Sequence, residues 1–286
     1  MGRVSMLIAL AAFAKTPSCS PLERAVADRI EKSGADVAVA VQTLDGRDRL
    51  LIKPDQPFHA ASTMKVPVMI ELFKEARAGK LSLDDTIPVV NEFHSIVDGS
   101  PFALTPDADS DSTLYERAGQ RVSYRELCEL MITVSSNLAT NILIERLTPA
   151  NVQATVDSLG APGMHVLRGV EDNKAFDKGL NNTTTARGLA TLMFKIAKGQ
   201  AVSPKSDAEM AAILKRQKFR DAIHAGLPEG TVVAHKTGNI TGIHHDAAIV
   251  YGPRPYVLVV LVRGIADQKV SGPFIASLSR EVWNSR

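Results

Sequence analysis

Cysteine is nearly missing from this chain: 286 residues hold two, Cys19 and Cys128. That excludes a disulfide-built scaffold and any cysteine-rich metal site. Cys128 stands in an apolar, helix-patterned stretch and reads as a small buried hydrophobe. Cys19 falls near the start, so no structural disulfide is expected. An excess of one charge is also missing. There are 33 Lys and Arg against 31 Asp and Glu, a net charge of +2, and the signs are interspersed. No basic patch of the kind that binds nucleic acid follows from that pattern. No glycine-rich phosphate loop or dinucleotide fingerprint occurs. Long apolar runs are missing too. The one candidate is Val4 to Ala14, preceded by Arg3 and closed by Ala12-Phe13-Ala14. It is too short to span a bilayer. A basic start, a short apolar run and an Ala-x-Ala end describe a secretory signal over residues 1–14. The expectation is a secreted or periplasmic protein without stable membrane insertion. Thr16-Pro17-Ser18 before Cys19 lacks the pattern of a lipid-attachment site.

What remains is ordinary for a globular protein, with 45% hydrophobic and 22% charged residues. Alternation over Ala35 to Val41, a turn at Asp45-Gly46 and a partner near Arg49 to Ile52 predict a hairpin. Helical periods follow: Val66, Met69, Ile70 and Phe73; Leu127, Leu130 and Met131 behind a Ser123-x-x-Glu126 capping box; then Asn137 to Leu147 with Pro149 after it as its end, Thr185 to Lys198 and Ser206 to Lys215. Val97 to Gly119, rich in Asp, Ser and Pro, reads as a long loop. Strands return at Thr231 to Lys236, Ala247 to Tyr251 and Tyr256 to Val262, and Phe274 to Trp283 closes as a helix. Strands from both chain ends around a helical middle predict an α+β fold. It would have one antiparallel sheet flanked by terminal helices and an inserted all-helical domain. The corresponding boundaries are 20–58 and 202–286 for the sheet domain and 59–201 for the helical one, with a site between them.

Three short motifs carry chemistry: Ser62-Thr63-Met64-Lys65, Ser135-Ser136-Asn137 and Lys236-Thr237-Gly238. Ser62 at a helix start is a candidate nucleophile, with Lys65 one turn on as its base. Its own N–H belongs to the unpaired donors of that helix start and can face an oxyanion. Asn239, just past the third motif, is the natural second donor. Lysine is a base only when neutral, and both burial and a second ammonium at Lys236 favour that form. Ser135 can relay a proton between the two lysines. Asn137 can donate its amide to a substrate carbonyl, and Lys236 and Thr237 suit a substrate carboxylate. Singly, each motif is a common surface pattern. All three in this order and context describe a serine acyl-enzyme site.

From about Leu22 to Trp283 the chain resembles the class A β-lactamases and the related penicillin-binding proteins. The likeness extends to Glu126-Leu127-Cys128, Asn137-Leu138-Ala139-Thr140-Asn141, Thr183-Thr184-Thr185 and Leu227-Pro228-Glu229-Gly230-Thr231. It implies a β-lactamase/transpeptidase-like fold and hydrolysis of a β-lactam amide through a Ser62 acyl-enzyme. The expected substrate is a small β-lactam or peptidoglycan-like molecule, the protein a monomer. The resemblance further implies that Glu171 activates the deacylating water. It also places His245 where the family has a carboxylate-assisting strand arginine.

The chain departs from the family pattern around Glu171. Asp172-Asn173-Lys174-Ala175 follows the glutamate instead of Pro-Glu-Leu-Asn, and Gly169 and Asn182 stand where an arginine and an aspartate pin the loop. Ser136 replaces the aspartate of Ser-Asp-Asn, and Val97 to Gly119 contains an insertion able to cover the site. These changes bear on deacylation and substrate range rather than on acylation. A D-alanyl-D-alanine peptidase that releases β-lactams slowly is the main alternative; a β-lactam sensor or a small-ester hydrolase are others. His235, His244, His245 and Asp246 match no standard zinc spacing, so neither metal nor cofactor is expected.

Overall fold

The computed structural model describes residues 20–286, so the expected signal segment and Cys19 lie outside the described residues. Five strands form one antiparallel sheet: β1 (Asp36–Thr43), β2 (Arg49–Ile52), β3 (Val232–Ile240), β4 (Ile243–Tyr251) and β5 (Tyr256–Arg263). Their spatial order is β2-β1-β5-β4-β3, so the first strand pairs directly with the last. Strands from both ends of the chain thus build one sheet, as an α+β fold requires.

Helices cover both faces. Val37, Val39, Val41, Leu258, Val260 and Val262 point to one side and pack with Val26 of α1 (Pro21–Ser33) and the apolar stripe Ile275, Leu278 and Val282 of the C-terminal helix (Gln268–Asn284). The alternate residues Ala38, Ala40, Val257, Val259 and Leu261 face the larger core. Two covered faces explain why Tyr256 to Val262 is buried without a break: alternation still sorts the side chains, but both destinations are apolar.

The larger core is organised around α2 (Lys65–Arg77), in which Val66, Val68, Ile70 and Leu72 are fully buried. Ten of its thirteen residues are buried, Lys65, Glu71 and Glu75 among them, so the helix lies inside the core. Around it stand α3 (Tyr124–Thr133), α4 (Asn137–Leu147), α5 (Pro149–Ser158), the short α6 (Asn173–Asp177), α7 (Ala186–Ala197) and α8 (Pro204–Lys215); the C-terminal helix is α9.

Three local expectations change. The helix expected to begin at Ser62 begins as a 3-10 turn, Ala61–Met64, and becomes α-helical at Lys65. Pro149 opens α5 rather than merely ending α4; its missing N–H costs nothing in a first turn, and the Thr148 hydroxyl caps Asn151 N at 3.3 Å. Val97 to Gly119 is not a plain loop. Pro101–Phe102 pairs with Phe93–His94, and Pro106–Ala108 and Tyr115–Arg117 are 3-10 turns.

Candidate active site

Ser62 lies in the 3-10 turn that feeds α2, and β3 runs against it. A Cβ built on Gly238 would sit 3.1 Å from Ser62 N and 3.0 Å from Thr63 N. Glycine at this position lets the edge strand approach the serine backbone, which a Cβ would press back by a few tenths of an ångström. Lys236, two residues before, is fully buried, as is Lys65.

The two lysines meet at Ser135. Lys65 Nζ donates to Ser135 O at 2.7 Å, to Ser135 Oγ at 3.2 Å and to Asn137 Oδ1 at 2.8 Å. Lys236 Nζ donates to the same Ser135 Oγ at 2.9 Å and to Thr237 O at 2.8 Å. Burial pulls the Lys65 ammonium down from its ordinary range to about 7, with the Asp109 and Glu171 carboxylates opposing that fall. Burial, and then the neighbouring Lys65, hold Lys236 well below the usual lysine value. A lysine of this kind can accept a proton near neutrality.

Backbone strain gathers here. Ala61, Ser135 and Glu171 all adopt positive φ (45°, 60° and 63°), unfavourable for residues with a side chain. The strain aims Ser135 between the lysines and turns Glu171 toward the cleft, where its Oε1 accepts from Asn137 Nδ2 at 3.1 Å. Asn137 therefore touches Lys65 through its oxygen and Glu171 through its nitrogen.

The Glu171 loop is anchored by Asn182, at the expected pinning position, and by Asn141, Arg168 and Asp172, to which motif reading gave no such role. Asn141 of α4 clamps Val170 from both sides, accepting from its N–H at 2.7 Å and donating to its carbonyl at 2.9 Å. Gly169 has to be glycine for this, because a Cβ would stand 2.4 Å from Asn141 Oδ1. Arg168, not the position of Gly169, supplies the pinning guanidinium; it donates to Leu180 O, Asn181 Oδ1 and Gly169 O at 2.8–3.0 Å. Asn182 holds the other end, accepting from Leu167 N and Arg168 N and donating to Arg168 O. Asp172 caps α6 and accepts from Ser95 Oγ at 2.9 Å and Ile96 N at 3.0 Å. Although burial works against its charge, these donors keep its carboxyl below the usual range.

A family model described as the beta-lactamase enzyme family matches residues 21–285. The chain belongs to that β-lactamase family. The curated β-lactamase AST-1 of Nocardia asteroides is 30% identical over 87% of this chain and 79% of its own length. An ancestral class A β-lactamase structure superimposes with a TM-score of 0.80 at 28% identity, covering 93% of this chain and 100% of the other. The structure of the protein named PBP-A gives 0.78 at 29% identity, over 92% and 95%. The β-lactamase assignment makes this chain a hydrolase of the class A group.

Within this β-lactamase scaffold, Ser62 stands where two clefts join. One is lined by Ser62, Asn137, Glu171 and Asn239 with His59 and Phe176. The other is lined by Ser62, Ser135, Thr237 and Asn239 with Lys218 and Arg220. His245 is not brought to either. It is fully buried against Phe58 and His59, where Nε2 lies 2.9 Å from His59 O and Nδ1 accepts from Val262 N at 3.1 Å. Burial lowers it to about 4, so it carries no charge near neutrality. The position pairs with Gly238 across the sheet, and on an edge hairpin the side chain there faces the core. Lys218 and Arg220 are the cations on the Thr237 side, and no spacing rule flagged them. Among the described residues no cluster of His, Cys, Asp and Glu fit to hold a metal occurs, and no helix is long and apolar enough to cross a membrane.

Proposed function

We propose that this hydrolase opens β-lactam amides through a Ser62 acyl-enzyme and releases the product with Glu171. The observation that carries the reading is the Asn137 carboxamide, bonded to Lys65 Nζ at 2.8 Å and to Glu171 Oε1 at 3.1 Å. One side chain couples the group that would drive acylation to the group that would drive deacylation. Neutral Lys65 takes the Ser62 hydroxyl proton as Oγ attacks the lactam carbonyl. The Ser62 and Asn239 N–H groups receive the oxyanion, and the C–N bond breaks as its collapse forms the ester. Ser135 Oγ passes a proton to the departing ring nitrogen and is replenished through the lysines that share it. Glu171 then takes a proton from water, the hydroxide attacks the ester, and Ser62 leaves with its proton restored. The substrate carboxylate falls to Thr237 and Lys236, with Lys218 and Arg220 on the same wall. On this reading the cleft lies between a sheet domain (20–58 and 202–286) and a helical domain (59–201). The protein acts as a secreted or periplasmic monomer after loss of residues 1–14, and it uses neither metal nor cofactor.

The test is an intact-mass time course with excess penicillin. A transient adduct on Ser62, with hydrolysed drug accumulating, is expected. Glu171→Gln should keep acylation and slow release by about 10²–10⁴-fold, so that the adduct persists. A persistent adduct on the unmodified protein would instead assign it to the penicillin-binding peptidases. No adduct and no hydrolysis would overturn both.

A further inference from the structure

From the segment Val97 to Gly119, Asp109 reaches the head of α4, and its neighbour Ser110 lines the cleft at Ser62. The Asp109 carboxylate accepts from Asn137 N at 2.8 and 2.9 Å and from Leu138 N at 2.9 Å, while Tyr115 donates its hydroxyl to Oδ2 at 2.9 Å. These are first-turn donors of α4, left free because the Ser136 hydroxyl caps only Ala139 N, at 3.3 Å. Serine at 136 provides one acceptor and no charge; the carboxylate comes from a distant point of the chain instead. We propose that Asp109 is a positioning residue for the hydrolytic site, holding Asn137 by its backbone so that its side chain spans Lys65 and Glu171.

This proposal rests on the function argued above for Asn137, Lys65 and Glu171. Asp109 grips the N–H of the residue whose carboxamide makes both contacts, so loosening it loosens both. It also places a negative charge near Lys65. The charged groups acting on that ammonium are Asp109 from the inserted segment, Glu171 from its loop and Lys236 from β3. Removing the Asp109 charge takes away one stabiliser of the ammonium form. Tyr115, raised by burial and then by Asp109, stays a neutral donor throughout.

The experiment compares the full chain with Asp109→Asn, Tyr115→Phe and Ser136→Ala. The Lys65 titration is followed by ¹³Cε NMR, assigned against Lys65→Ala, and the acylation rate by penicillin is followed against pH. Asp109→Asn is expected to move the Lys65 titration to lower pH by about half a unit or more. It should also lower the high-pH plateau of acylation by roughly tenfold, the cost of a mispositioned group. Tyr115→Phe loosens the carboxylate but keeps its charge, so it should lower the plateau and leave the titration in place. Ser136→Ala weakens the same helix start and should lower only the melting temperature. An Asp109→Asn protein with unchanged titration and plateau would overturn the proposal. So would a Ser136→Ala protein that shifts both as far. If the unmodified protein forms no penicillin adduct, the functional reading fails, and the NMR titration still decides whether Asp109 acts on Lys65.

Discussion

Lys65 shows how much a single residue's chemistry depends on where the chain puts it. In water its ammonium would be useless as a base. Fully buried, it is drawn to about 7, and three acceptors hold its nitrogen in place. The neutral form grows as pH rises through the folded value. The acylation rate should therefore climb about tenfold per pH unit below 7 and level off above it, as stopped-flow acylation across pH would show. A flat profile between pH 5 and 8 would remove Lys65 as the base. The sign for stability follows from the same numbers. Between about 7 and the ordinary lysine value the unfolded chain binds the extra proton, so this group makes folding more favourable as pH rises through that window. The triplet Ser135-Ser136-Asn137 was legible as a motif, but the left-handed backbone that aims Ser135 was not. Nothing in a serine's identity announces a φ of 60°.

At the scale of an element, α4 is the frame of the site. It presents Asn137 at its start and Asn141 one turn later, one residue touching Lys65 and Glu171 and the other gripping the backbone before Glu171. Positions i and i+4 share a helix face, which is why one short helix can do both. Asn141→Leu should remove the clamp while filling similar volume. Deacylation is expected to slow by about tenfold or more with acylation little changed, since a loosened loop misplaces Glu171 alone. Single-turnover acylation and release rates would separate the two; an equal loss in both would mean that Asn141 supports α4 rather than the loop. Helix spacing showed the α4 residues in the sequence. Of the anchors of the loop they hold, Asn182 stood at an expected pinning position, but Arg168 and Asp172 did not show, because their partners at Leu180, Asn181, Ser95 and Ile96 follow no spacing rule.

For the whole molecule, the sheet is the platform on which β3 meets Ser62. Leu258 lies at its centre, fully buried against α1 and α9, away from the cleft. Leu258→Ala should cost about 2–5 kcal/mol of stability through lost burial and the cavity left behind. Acylation by the folded fraction at 25 °C should stay near normal, because Leu258 lines neither cleft and faces away from the core that holds α2. Chemical denaturation and single-turnover kinetics would check the pair of outcomes. A large loss of acylation with intact folding would show that the sheet's far face tunes the site.

The sequence by itself determined the α+β class, the sheet strands, the helices α2, α3, α4, α7, α8 and α9, and the candidate residues Ser62, Lys65, Ser135, Asn137 and Lys236. Those follow from hydrophobic periods and from motifs in which neighbours along the chain share a face. Only the tertiary structure decided what stands beside what. It sent His245 inward and set Lys218 and Arg220 on the cleft wall beside Thr237. It also moved the pinning arginine to Arg168 and brought Asp109 from an insertion to the head of α4. The reason is physical. Periodicity records which way a side chain faces on its own element, whereas a hydrogen bond between Asp109 and Asn137 depends on how separate segments pack. That information is spread over the whole core.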